Sequence, residues 1–130
     1  RLAETLAKIA RFSIEPPDID RVALAEAAAL VGNDGMRRLL ELFLADGAGR
    51  AGVLKAALAA DDLETLRREA HALAGGASAA CARRLEASAR RTMRADSTLA
   101  DAEALIAALN SAAAAVRAAM DEHHPATAAR

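Results

Sequence analysis

The sequence predicts an all-α fold, and three observations carry that expectation. Alanine fills about 30% of the 130 residues, and Leu, Arg and Glu supply much of the rest; these are strong helix formers. Aromatics stand at 2%, with no Trp or Tyr, and β-branched residues are scarce, so a sheet has little to be built from. Apolar residues recur at three- and four-residue spacing along most of the chain.

The elements follow in order. Leu2, Leu6, Ile9 and Phe12 mark a short helix that Pro16 and Pro17 break. Asp18 or Asp20 caps a second helix running to about Val31, with Val22, Leu24, Ala27, Ala28 and Val31 as its apolar side. Gly32-Asn33 ends it, and Asn33 or Asp34 caps a long helix to about Ala59. Its stripe is Met36, Leu39, Leu40, Phe43, Leu54 and Leu58. Gly47, Gly49 and Gly52 predict a kink or short break within that helix, since each costs up to ~1 kcal/mol against alanine.

Asp61 and Glu64 read as a capping box opening the next helix, whose seam is Leu63, Leu66, Ala70, Leu73, Ala77 and Ala80. A turn near Ala80 to Ala82 leads to a helix through Leu85, Ala89 and Met93, ending about Ala95. Ser97 or Thr98 then caps a last helix with Ala102, Ile106, Leu109, Ala113, Val116 and Met120 on one side. Four substantial helices with short connections predict an antiparallel up-down four-helix bundle, with short additional N-terminal helices across one end or flank. One domain is expected over residues 1–130, with a core at about 19–121 and a frayed tail at 122–130.

Bulk properties exclude several functions. A net charge of -1 gives no sequence-independent grip on nucleic acid, and the lack of aromatics removes stacking platforms for bases. No uninterrupted apolar run reaches the ~18 residues of a membrane span, and no secretory signal opens the chain. The chain begins at Arg1 rather than Met, so its start reads as trimmed. The single cysteine, Cys81, can form no internal disulfide; it reads as a small packing or turn residue, and a cytoplasmic monomer is expected. No spacing suits a metal, and His123 and His124 fall in the tail.

His71 is the one histidine away from that tail. At 100° per residue it lies on the edge between the Ala70 seam and water. Arg67 and Arg68 are its same-face neighbours one turn back; Ala74 and Gly75 lie one turn on, and Ser78 two turns on. Gly75 leaves room for a partner or a bulky group on the ring. The two guanidinium groups can pair with an oxyanion. An imidazole ordinarily titrates near ~6.5, so close to neutral pH much of it is a free nucleophile. Spacing alone also fits an ordinary boundary histidine, glycines that let helices pack closely, and arginines that pair with Glu64 and Glu69.

The run Ala70-His71-Ala72-Leu73-Ala74-Gly75, followed by small residues and then Ala82 and Leu85, resembles the signature of histidine-containing phosphotransfer (HPt) domains. Leu39 to Phe43, the Ala-rich stretch to Asp62 and the Leu-Arg-Arg-Glu run extend the likeness to roughly residues 19–120. The resemblance implies a four-helix bundle presenting His71 as phosphoryl acceptor, without kinase activity of its own. It implies receiver domains and a sensor histidine kinase as partners, no resident cofactor, and Mg²⁺ supplied by the receiver. Arg67, Arg68, Gly75 and Ser78 are then expected to hold or admit the phosphoryl group, and Ala74, Gly75, Arg83 and Arg84 to face the partner. The basic run Arg83, Arg84, Arg90, Arg91 and Arg94 is either a solvated face or a steering surface for an acidic receiver. Two positions depart from the family pattern. Ala74 replaces a lysine that would hold the phosphoryl group, a loss of ~1.5–3 kcal/mol for a charge-assisted contact, with Arg67 or Arg68 as substitute. Cys81 replaces a later glycine. The alternative functions are a docking module that binds receivers without transfer and a plain structural bundle.

Overall fold

The computed structural model describes residues 16–122, all of whose regular structure is helical. Five helices are present: α1 (Arg21–Val31), α2 (Asn33–Ala59), α3 (Leu63–Ala79), α4 (Arg83–Thr92) and α5 (Leu99–Glu122). The expected helix at Leu2 to Phe12 lies outside the described residues, as do His123 and His124. Helices α2 to α5 form the bundle. Each packs on the next, α5 closes back onto α2, and α3 and α5 touch little across the diagonal. α1 lies against α2.

The core is built from leucine and alanine. Leu40, Leu54, Leu66, Leu73, Leu85 and Leu105 are its largest fully buried side chains, together with Val116 and Thr92. Small residues fill much of the remaining seam, which lets the helices approach closely, and Phe43 is the aromatic side chain packed into the described core. The buried hydroxyl of Thr92 donates to the Ser88 carbonyl at 2.9 Å and to the Asp101 carbonyl at 3.3 Å, so it is satisfied inside the bundle.

Several boundaries differ from the sequence expectation. α2 runs without a break through Gly47, Gly49 and Gly52. A Cβ at Gly47 would sit 3.3 Å from Leu109 Cδ1, so that glycine serves the approach of α5. α3 is capped by Asp62, not Asp61: Oδ1 accepts from the Thr65 amide at 3.1 Å and Oδ2 from the Thr65 hydroxyl at 2.6 Å. Asp61 instead takes the left-handed conformation, φ 54, that ends α2. Of the two caps expected for α1, Asp20 fills the role, while Gly32, φ 85, serves as both the end of α1 and the start of α2. Val22 and Val31, expected on the apolar side of α1, are exposed. α4 stops at Thr92 rather than Ala95.

The seam of α5 is also shifted. Leu105, Ala108, Ala112 and Ala119 join Ala102, Leu109 and Val116 inside, while Ile106, Ala113 and Met120 sit at the edge. By length and composition α5 could cross a membrane, with a mean hydropathy of 1.4, contrary to the expectation from uninterrupted apolar runs. Here its buried stripe supplies one side of the bundle core.

The Ala80–Ala82 turn joins α3 to α4 in three residues, as Ala60–Asp62 joins α2 to α3. The Ala82 amide donates to the Ala77 carbonyl at 2.8 Å and the Cys81 amide to the Ser78 carbonyl at 3.2 Å. This is a Schellman motif, with Cys81 at φ 59 in the position that glycine ordinarily holds. The segment before α1 straps this turn down. The Asp20 amide donates to the Cys81 carbonyl at 2.9 Å and the Arg84 amide to the Pro17 carbonyl at 3.1 Å. Ser111 Oγ donates to Asp18 Oδ2 at 2.7 Å, fixing the strap to α5.

Candidate functional site

α3 is amphipathic, and its two edges face different neighbours. On one edge Glu69 accepts from Arg50 Nη1 of α2 at 3.0 Å, and a Cβ at Gly76 would lie 4.0 Å from Phe43 of α2. Ala70, Leu73 and Ala77 point into the core. His71 is exposed on the opposite edge, toward α4, and makes no hydrogen bond or ion pair among the described residues. One turn beyond it, Gly75 is exposed, and a Cβ there would meet nothing within 4 Å. The glycine is therefore not required by packing inside the bundle. Ser78, two turns on, is exposed on the same flank. His71, Gly75 and Ser78 thus form an open strip where an incoming molecule meets the imidazole with no side chain in the way.

The two arginines one turn back separate. Arg67 is turned toward the loop between α4 and α5. Its Nε donates to Ser97 Oγ at 3.1 Å and to the Arg94 carbonyl at 3.2 Å, and its Nη2 donates to the Ala95 carbonyl at 3.0 Å and the Ser97 carbonyl at 3.4 Å. Arg67 is thus engaged in holding that loop through Nε and Nη2, where the sequence pattern places it beside the phosphoryl group. Arg68 is exposed and makes one long contact, from Nη2 to Thr65 Oγ1 at 3.3 Å, which leaves most of its guanidinium donors available. Ser97, the anchor of Arg67, was not legible in the sequence because the pair is separated by 30 residues.

The expected partner surface is also revised. Ala74 is 7% exposed and belongs to the core, so it gives a partner almost no surface. Arg83 is paired with Glu86 at 3.2 Å and Asp20 at 3.6 Å, and Arg84 with Asp18 at 3.6 Å. These arginines fasten the start of α4 to the strap before α1, so at least part of their donor capacity is engaged within the chain. Arg90 is paired with Glu86 at 2.9 Å and Arg94 with Asp96 at 3.4 Å. Hydrogen bonds from Arg90 and Arg83 hold the Glu86 carboxyl below its ordinary range. Cys81 is buried, and that burial pushes its thiol up, against the pull of Arg83, which suits an inert packing role. Among the described residues no group of three or more His, Cys, Asp or Glu side chains could hold a metal ion.

A family model described as the Hpt domain matches residues 38–119, which include all of α3 and α4 and most of α2 and α5. The chain belongs to the Hpt domain family. No curated protein and no solved structure matches it. Membership places this bundle in histidine phosphotransfer within phosphorelay signalling, where Hpt domains interact with receiver domains and histidine kinases. His71 lies inside the matched region, on the exposed flank of its central helix.

Proposed function

We propose that this Hpt domain is a phosphocarrier in which His71 accepts a phosphoryl group from a receiver-domain aspartate, or from a kinase, and passes it to a response regulator. The observation that carries this reading is the exposed, unpartnered imidazole of His71 beside the open strip at Gly75, inside the family match. In the transfer, the Nε2 lone pair of the neutral ring attacks the phosphorus of an aspartyl phosphate. An N–P bond forms, the P–O bond to the aspartate breaks, and the carboxylate leaves with the electron pair. Nδ1 keeps its proton, so the product is a phosphoimidazolium whose positive ring offsets part of the phosphoryl charge. The reverse step delivers the group to the next aspartate. The receiver contributes the acceptor or donor carboxylate and the Mg²⁺ that neutralises the phosphoryl oxygens. This chain contributes the nucleophile, room for an in-line approach, and Arg68, one helical turn before His71, as a cation with donors to spare.

Incubation with a phosphorylated receiver and Mg²⁺ tests the proposal. Acid-labile, base-stable label should appear on the protein and be lost in His71→Gln. Label that survives this substitution overturns the assignment. A second reading has support from Ala74: the position where the family's lysine is expected carries no charge, and Arg67 does not replace it. On that reading the domain docks receivers without transfer, and binding is indifferent to His71→Ala.

A further inference from the structure

An open groove of ≈ 540 Å³ runs between α4 and α5, and the chain itself leads into it. Pro16 lines the groove at one end. There the Pro17 carbonyl accepts from the Arg84 amide at 3.1 Å, and Asp18 Oδ2 accepts from Ser111 Oγ at 2.7 Å. Arg84 also pairs with Asp18 Oδ1 at 3.6 Å, an oxygen buried without a hydrogen bond. These contacts pin the strap, so Pro16 is held at the Arg84–Ser111 end. Thr92 of α4 meets Asp101 of α5, so the two helices run antiparallel, and the other end of the groove lies at Arg91 and Ala104. The floor between is small: Ala87, Ser88, Ala104, Ala107 and Ala108. No large apolar side chain lines it.

The sequence before Pro16 has the complementary composition. Leu2, Leu6 and Ile9 fall within about 60° of one another at 100° per residue, with Phe12 beside them, while Glu4, Lys8 and Arg11 fall on the opposite side. A helix this short is marginal in water by itself, so so one-sided a pattern calls for a surface to lie on. We infer that residues 2–12 lie as an amphipathic helix in the α4–α5 groove of their own bundle, with Leu2, Leu6, Ile9 and Phe12 on its alanine floor. Connectivity selects this occupant. Only Ser13, Ile14 and Glu15 separate Phe12 from the groove's rim, and so short a tether gives an effective concentration on the order of mM. Length agrees: Arg84 to Arg91 spans about 10.5 Å of α4, and Leu2 to Phe12 spans about 15 Å as a helix, enough to cover the floor from end to end. Large side chains against a small-residue floor also restore close packing where the bundle alone leaves space. A second groove, between α2 and α5, is lined by Phe43, Leu44 and Leu109, and Pro16 takes no part in it. Helix α4 stands between the α4–α5 groove and His71, so the docked segment leaves the His71 strip open. The inference stands independently of phosphotransfer at His71.

The test uses the full 130-residue chain and is read by NMR. Leu6→Asp combined with Ile9→Asp should shift the amide resonances of Ala87, Ser88, Ala104 and Ala107 and leave those of His71 and Gly75 in place. Amide exchange at residues 6–12 should be at least ten-fold faster in that variant than in the wild type. Ala104→Glu with Ala107→Glu, both exposed positions of α5, should speed exchange at residues 6–12 by the same factor while α2 and α3 keep their protection. Leu30→Asp, on the exposed side of α1, should change neither readout. Shifts confined to α1 or to the α2–α5 groove overturn the proposal, as do unshifted groove residues or unprotected amides at residues 6–12 in the wild type. Protection that is lost on dilution also overturns it, because the groove would then hold the segment of a second copy of this chain.

Discussion

Arg67 of α3 and Ser97 of the loop between α4 and α5 are joined through both the side chain and the backbone of the serine. Arg67 Nε reaches Ser97 Oγ at 3.1 Å, and its Nη2 also donates to the Ala95 carbonyl at 3.0 Å. Ser97 is 6% exposed, so the contact lies at the rim of the core. A hydrogen bond from a charged donor contributes about 1.5–3 kcal/mol, and partial exposure of the guanidinium reduces this. Arg67→Ala should therefore lower stability by about 1–2 kcal/mol in urea unfolding, with the loss shared by Ser97→Ala in a double-mutant cycle. Unchanged stability with slowed transfer would instead place Arg67 at the phosphoryl group.

Asp61 ends α2 in the left-handed conformation at φ 54, and its side chain is exposed. A non-glycine residue there costs about 1–2 kcal/mol, while glycine gives up about 0.4–1 kcal/mol through the freer unfolded chain. Asp61→Gly should raise stability by roughly 0.5–1 kcal/mol, the difference of those two terms, seen as a higher urea midpoint. Cys81 has the same conformation at φ 59 but is buried, so Cys81→Gly also loses core contacts. It should come out close to neutral. A large loss there would show that thiol packing outweighs the relief of strain.

These two turns show what the sequence could and could not convey. Four bundle helices and the exposed edge at His71 were legible, because apolar spacing and helix geometry act over neighbouring residues. The cap at Asp62 was misplaced by one residue, since Asp61 and Asp62 are both good capping types and the choice rests on the Schellman bonds that close α2. The continuity of α2 through three glycines was illegible too: its packing on α3 and α5 overrides a local propensity cost of about 1 kcal/mol per glycine. At the site, Arg67 and Arg84 are fastened by Ser97 and Asp18, which lie 30 or more positions away; Arg83 combines a local pair with Glu86 and a distant one with Asp20. Long-range pairs of this kind leave no periodic trace.

Glu86 accepts from Arg90 Nη2 at 2.9 Å and from Arg83 Nη1 at 3.2 Å, and these contacts hold its carboxyl below the ordinary range. A carboxylate with a depressed folded value contributes stability that is present above its unfolded pKa of about 4.3. That contribution is lost as pH falls through the lower folded value. Wild type should therefore exceed Glu86→Gln in stability at pH 7, and the gap should close as pH drops below about 4.3. A gap that persists well below the folded value would assign the effect to side-chain shape, not charge.

Ala74 sits one turn beyond His71 with 7% of its surface exposed. A lysine placed there would run its stem along the bundle edge and carry its ammonium out to the His71 flank. Such a charge-assisted contact is worth ~1.5–3 kcal/mol, so Ala74→Lys should prolong the phosphohistidine or speed transfer about ten-fold. Arg68→Ala should act in the opposite direction, and more strongly in the wild-type background than in the Ala74→Lys background, where a second cation is at hand. Phosphohistidine lifetimes after rapid removal of the receiver provide the readout. If lifetimes are unchanged in both variants, cations on this chain do not hold the phosphoryl group.

Gly75 separates folding from docking more cleanly than any other position. A Cβ added there meets nothing within 4 Å, and the residue lies in the interior of α3. Alanine is preferred over glycine in a helix interior by up to ~1 kcal/mol, so Gly75→Ala should stabilise the bundle. Gly75→Leu should also fold, because its side chain points into open space beside His71. A receiver that must bring its aspartate to Nε2 would meet that side chain, so transfer in Gly75→Leu should fall at least ten-fold while the urea midpoint holds. Labelling of His71 by a small phosphoramidate, which needs no protein docking, should be little changed in the same variant. Loss of both kinds of labelling would mean that the leucine disturbs the imidazole itself. Retention of both would place the receiver's approach on another side of His71, away from the Gly75 strip.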